Sequence, residues 1–207
     1  ASHAFAQSAT TLFEGARIIV GDGSVVDGGA ILVEGGKITR VGKAGEVQAP
    51  ANAARINASG KTIMPMMLDT HVHLSPLRDA LIRDLKRRAY WGVSAALSMD
   101  TDPYNLLPVR GEKIPDAAQF LSAGRGITMP EPGRITAPYW INNEAEGRKS
   151  VEELAANKVD IVKIWVDNRG GQFKKLTPEI YGAIIDEAHK RNLRVAAHIF
   201  DLDDGKG

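Results

Sequence analysis

Between residues 160 and 199 an apolar run, an amphipathic helical stretch and a second apolar run follow one another, which leaves no place for a hairpin. Residues 160–166 read as an apolar strand with Lys163 in its middle, and residues 194–199 as the next strand. Between them, residues 177–191 carry Thr177 as cap, Pro178 in the first turn, and Ile180, Ile184, Ile185 and Ala188 on one face. Two strands joined through a helix lie parallel in one sheet, with their ends facing the same way. The alternation reaches back to residue 62. It runs through an apolar stretch at 62–68 broken by Pro65, a helix at 78–91 stopped by Gly92 and a strand at 93–99. A mostly loop-like 101–118, a strand at 120–128 and a Pro/Gly-rich loop at 129–146 follow. Residues 150–157 then form a short helix, with Ser150 and Glu153 as a capping box. This rhythm dictates an α/β fold of about five parallel strands.

Residues 11–58 follow another rule. Short β-rich runs at 11–20, 30–34 and 37–41 are separated by Gly21-Asp22-Gly23-Ser24 and Gly35-Gly36, which predicts a small antiparallel sheet. The expected organisation is a tail over 1–10, a small β domain over 11–60, and the α/β part over 61–207. In the tail, Ala4-Phe5-Ala6 has the small-x-small form found before a signal-peptidase cut, which points to a periplasmic or secreted protein; without that signal the expectation is cytoplasmic. Lys and Arg number 26 against 25 Asp and Glu, so no bulk basic field calls for nucleic acid or an anionic membrane as partner. No apolar run approaches the ~20 residues that span a bilayer, and cysteine is absent, which excludes thiolate metal sites and cysteine nucleophiles.

The chemistry rests on four residues. His71 and His73 lie two apart at the end of an apolar strand, so extended backbone presents both imidazoles to one place. Catalytic residues of α/β barrels sit at such strand ends. Lys163 interrupts a buried-looking strand, where a charged ammonium is costly and must be paired or neutralised. Either its stem reaches solvent or an acid, or the amine loses its proton and takes up carbon dioxide, becoming an anionic oxygen ligand. His198, beside Ala196 and Ala197, lies about one βα unit further on and reads either as a core histidine or as another ligand. Nitrogen and oxygen donors without thiolate suit zinc, as well as manganese, iron or nickel. His189, among charges late in its helix, is a solvated residue favoured by the helix dipole. Tyr139 and Trp140, in the long loop after the third barrel strand, are the candidate substrate-binding aromatics.

With Asp69-Thr70-His71-Val72-His73, Lys163 and His198 in this order, and a leading β segment over 16–41, the sequence resembles the amidohydrolase superfamily. Within it, the imidazolonepropionase-like and prolidase-like branch is the most similar. The resemblance runs from about residue 11 to the end. It implies the N-terminal part of a (β/α)8 TIM-like barrel preceded by a small β-sandwich domain. It implies one or two divalent metal ions, zinc foremost, with His71 and His73 on the more buried ion, a carbamate on Lys163 bridging, and His198 on the second ion. Its members usually place glycine after the proline that precedes the motif, whereas Pro65 here is followed by Met66-Met67. The superfamily also uses a histidine on strand six and an aspartate on strand eight as general base, so no catalytic acid–base residue is expected in these 207 residues. Residues 62–207 fall short of the ~200 to 250 residues of such a barrel. The expected partners are therefore a C-terminal remainder, as a second polypeptide or a chain nicked after Gly207, and a small-molecule or peptide substrate. A homo-oligomer is a further reading. The implied activity is hydrolysis of an amide in a peptide or N-acyl amino acid. The alternatives are a cyclic amide, lactone or ester, and a non-catalytic protein that only binds metal or ligand.

Overall fold

The computed structural model describes residues 10–205, so Ala4-Phe5-Ala6 and the rest of the tail segment 1–9 lie outside the described residues. The chain divides after Pro65 into two compact units.

The first unit is a mixed sheet rather than an antiparallel one. β1 (Thr11–Ile19), β2 (Val25–Glu34) and β3 (Lys37–Lys43) form two successive hairpins, while β4 (Ala54–Asn57) and β5 (Thr62–Ile63) both run parallel to β1. The strand order is β3-β2-β1-β4, with β5 also on β1. Four- and two-residue strands are too short to show a period, so the two parallel additions were invisible to hydrophobic alternation. Leu12, Ala30, Leu32 and Val47 form one apolar cluster, and Ala16, Ile18, Ile31 and Ala58 another. Among the described residues the expected sandwich is represented by this one five-stranded sheet.

The second unit is α/β with parallel strands throughout. β6 (Met67–Val72), α1 (Arg78–Tyr90), β7 (Val93–Ser98) and β8 (Gln119–Ser122) build a three-stranded sheet ordered β6-β7-β8. β9 (Ile127–Thr128), β10 (Tyr139–Trp140), α2 (Glu144–Ala156), β11 (Val162–Val166), α3 (Pro178–Lys190) and β12 (Val195–Ile199) build a four-stranded sheet ordered β10-β9-β11-β12. The arrangement is that of part of a barrel, and closure is not formed by the described residues. Among the described residues, β6 and β12, the first and last strands of this unit, each have a neighbour on one side only. Apolar side chains stand exposed at both edges: Met67 and Leu68 on β6, Ile199 and Phe200 at the end of β12.

Three expectations are corrected here. The single strand expected over 120–128 is two, β8 and β9, because the chain turns through residues 123–126, where Gly124 and Gly126 have positive φ. Asp160 caps the end of β8: its N–H donates to the Ser122 carbonyl, and its carboxylate accepts from the Ser122 N–H. The helix expected at 150–157 begins six residues earlier. Its cap is Asn143, whose side-chain oxygen accepts from the Glu146 N–H, while Ser150 is buried mid-helix and donates to the Glu146 carbonyl. The Ser-x-x-Glu spacing was a capping box in form, but the upstream Asn143 gave the stronger terminus. Third, residues 104–111 are not loop but a 3-10 helix that buries Leu106, Leu107 and Val109.

The core lies between sheet and helices. Leu154 of α2 and Ile184 of α3 pack with Val162, Ile164 and Val166 of β11. Because side chains alternate along a strand, this assigns the even-numbered residues of β11 to the helix side and leaves Lys163 and Trp165 on the other face. Gly126 touches that face: a Cβ there would lie 2.4 Å from the Trp165 ring, at a φ of +66°. Gly126→Ala is expected to lower stability by about 1–3 kcal/mol through overpacking and left-handed strain. Urea unfolding would check this, and an unchanged midpoint would count against the contact.

Candidate functional site

The register of β11 against β12 places the chemistry. Lys163 pairs with Ala196 and Trp165 with His198. Directly opposed residues project from the same face of a sheet, so Lys163, Trp165, Ala196 and His198 share the face turned away from α2 and α3. Ala196 leaves room beside the lysine. Lys163 is 1% exposed, with its ammonium nitrogen 5.6 Å from the Trp165 ring centroid. Burial pulls its pKa below the ordinary lysine value, and among the described residues no acid partner opposes the shift.

His71 is the penultimate residue of β6, and His73 directly follows the strand. Their rings stack 5.8 Å apart at 17°. Desolvation holds the His71 imidazole below its usual pKa, and the positive charges of Lys163, His73 and His198 push it the same way, against Asp69. Lys163, His73 and His198 therefore all lie within electrostatic reach of His71, although the four come from two sheets. Two carboxylates that the sequence reading passed over face the histidines. An Asp100 oxygen lies 3.7 Å from His73 Nδ1, and an Asp167 oxygen 3.5 Å from His198 Nε2. Asp100 follows β7 by two residues and Asp167 directly follows β11, so a search for acids just past strand ends would have found both. Among the described residues, no three His, Asp or Glu side chains are gathered closely enough to hold a metal ion.

A cleft of about 650 Å³ opens here, with His73, Asp100 and His198 beside a wall that includes Trp165, Arg134, Arg169 and Phe173. Tyr139 and Trp140 do not line it. They form β10, pairing with Ile127 and Thr128 rather than lying in a loop. Tyr139 packs against the core, its hydroxyl against that of Tyr104 and its ring under Arg125. Trp140 lines a neighbouring hollow with Pro130, Pro132 and Arg134.

Behind the site lies a buried acid. Asp102, 1% exposed, accepts hydrogen bonds from Ser98 Oγ at 2.8 Å and Ser122 Oγ at 2.6 Å. It thereby ties the ends of β7 and β8. Ser122 Oγ in turn accepts from the Gly124 N–H, and the Asp102 N–H donates to the Gly124 carbonyl. Burial raises the Asp102 pKa above the usual carboxylate value despite the two hydroxyl donors.

No protein-family model matches the chain. The chain is similar to the enamidase of Eubacterium barkeri, with 24% identity over 193 residues, covering 88% of this chain and 47% of that protein. It is also similar to the 5-methylthioadenosine/S-adenosylhomocysteine deaminase of Symbiobacterium thermophilum, with 30% identity over 97 residues, covering 43% of this chain and 22% of that one. Among solved structures, a prolidase-type protein from Bifidobacterium longum superposes with a TM-score of 0.79 at 24% identity, over 92% of this chain and 49% of the other. The chain thus has the fold of amidohydrolase- and prolidase-type barrel proteins, and it spans about half the length of the enamidase and of the Bifidobacterium protein.

Asp102 makes stability pH-dependent in a definite sense. Its folded pKa lies above the unfolded value of ~3.9, so its contribution is most favourable below that value and is lost as pH rises through the folded pKa. The wild-type protein should therefore lose stability relative to Asp102→Asn between pH 4 and pH 7 in urea unfolding. A difference independent of pH would rule out the raised pKa.

Proposed function

We propose that this chain carries the metal-holding part of a metal-dependent hydrolase acting on the C–N bond of a carbonyl compound, with a cyclic or ring-bearing amide as preferred substrate. The observation that carries the proposal is Lys163: a buried amine without an acid partner among the described residues, on the same sheet face as His198 and within electrostatic reach of His71. A neutral amine is what burial favours, and only a neutral amine can add carbon dioxide. The resulting carbamate gives an anionic oxygen donor where an ammonium gives none. Three imidazoles with one such oxygen donor fit a divalent cation of the zinc type. His71, His73, His198 and carbamylated Lys163 would hold it, and Asp100 and Asp167 are placed to orient the His73 and His198 rings. A bound cation supplies Lewis-acid polarisation of the carbonyl and a water acidified towards pKa ~7. The proton from water to leaving nitrogen needs a further carboxylate, which this reading assigns to a C-terminal remainder completing the barrel beyond β12.

The preference for a ring-bearing amide is supported by the aromatic wall of Trp165 and Phe173, and the choice of an amide by the likeness to an enamidase over most of this chain. A peptide or N-acyl amino acid, or a lactone or ester, would use the same carbonyl chemistry. One observation favours a protein that only binds a ligand: among the described residues, the His, Asp and Glu side chains are not gathered into a metal-holding group.

The test uses the complete protein, with whatever segment accompanies this chain, identified by native mass spectrometry. Lys163→Met and His71→Ala are expected to lower bound divalent metal and to cut hydrolysis by more than ~100-fold, beyond the range of second-shell changes. Bicarbonate should speed reactivation of metal-stripped wild type but not of Lys163→Met. Full metal content and activity in either variant would overturn the site.

A further inference from the structure

The loop between β11 and α3, residues 167–177, meets β12 and its exit at both ends. At its start, an Asp167 oxygen lies 3.5 Å from His198 Nε2. Near its end, Lys175 Nζ donates to both Asp204 oxygens, at 2.7 and 2.9 Å, and to Asp201 Oδ2 at 3.3 Å. Asp201 and Asp204 belong to the segment that leaves β12 just beyond His198. The three N–H donors of the ammonium are thus matched by three carboxylate oxygens. Asp204 foremost, and Asp201 with it, hold the Lys175 pKa above the ordinary lysine value, the reverse of the shift at Lys163.

Both sides of this clasp are braced. Leu176, next to the lysine, is 1% exposed and packs in the core with α2 and α3. On the other side the 3-10 turn Leu202–Gly205 folds back on β12. A Cβ at Gly205 would lie 2.8 Å from Ile199 Cδ1, and the Asp204 N–H donates to the Asp201 carbonyl. Between the two ends of the loop lie Arg169, Gln172 and Phe173 of the cleft wall.

The clasp stands where the sheet supplies little. Among the described residues β12 has a neighbour on one side only, so past Ile199 no second strand fixes the course of the chain. With Lys175 31% and Asp201 56% exposed, solvent screening leaves the clasp a small share in global stability. What it contributes is direction. One ammonium on two carboxylates of the same segment sets how the exit of β12 lies against the loop. His198 then stands between two ties to one loop, at Asp167 and at Lys175.

We infer that Lys175 is a positioning residue: its ion pair with Asp204, seconded by Asp201, fixes the exit of β12 so that His198 is presented to a divalent cation in one orientation. The inference rests on the reading of His198 as a metal ligand. A support of this kind, one step removed from the ligand, acts on metal affinity rather than on the fold.

The test uses the complete protein, stripped of metal and titrated with zinc against a chromophoric chelator. Lys175→Met is expected to weaken zinc binding about tenfold, and Lys175→Arg to stay within about threefold of wild type. Lys174→Met, which removes an exposed neighbouring charge, should stay within about twofold. Lys175→Met combined with Asp204→Asn should bind zinc as Lys175→Met does, because both act through one contact. Urea midpoints show that each variant is folded. Asp204→Asn, which should weaken zinc binding in the same direction, keeps the test open if Lys175→Met does not fold. Zinc binding as tight as wild type in Lys175→Met, an equal loss in Lys174→Met, or additive losses in the double variant would each overturn the inference while leaving the hydrolase reading intact. A wild-type protein that binds no zinc would overturn both.

Discussion

Lys163 shares one face of β11 with Trp165, and among the described residues no acid pairs with it. The other face of β11 is occupied by the helix-facing residues Val162, Ile164 and Val166. An ammonium so placed would carry a desolvation cost that favours the neutral amine. The neighbourhood is arranged as though that charge were not meant to persist. Ala196 stands opposite instead of a carboxylate, the Trp165 ring lies alongside, and the His71 imidazole is within electrostatic reach. Burial, small neighbours and nitrogen donors all favour a neutral amine, which is the precondition for the chemical role proposed for it.

Around this amine the acids are kept one step back. Asp102 ties β7 to β8 through two serines, Asp160 caps the end of β8 at Ser122, and Asp167 and Glu131 hold the arginines of the wall. Each of these carboxylates is satisfied by hydroxyl, amide or guanidinium donors. Imidazoles and guanidinium groups line the open space together with Asp100 and Glu131, an arrangement suited to a polar ligand.

Much of the site was legible because its residues obey local rules. His71 and His73 stand out through the two-residue period of a strand, and Lys163 stands out as a charge within an apolar run. The wall was not legible. Arg134 and Glu131 lie in a Pro/Gly-rich stretch that alternation cannot parse, and their pairing with Arg169 joins segments more than thirty residues apart. Tyr139 and Trp140 drew attention as loop aromatics, yet a two-residue strand turns Tyr139 into the core. The helix start at Asn143 was hidden behind the better-looking Ser150, since a capping pattern does not say whether its serine will be buried.

What the sequence determined by itself is the α/β alternation, the strand-end histidines and the isolated lysine, because periodicity and burial are read from neighbours a few positions apart. What only the tertiary structure decided is the register that sets Trp165 against His198, the break between β8 and β9, the parallel additions to β1, and the pinned arginines. Those depend on contacts between segments distant in the chain, where hydrogen-bond satisfaction and packing, rather than local preference, select the arrangement.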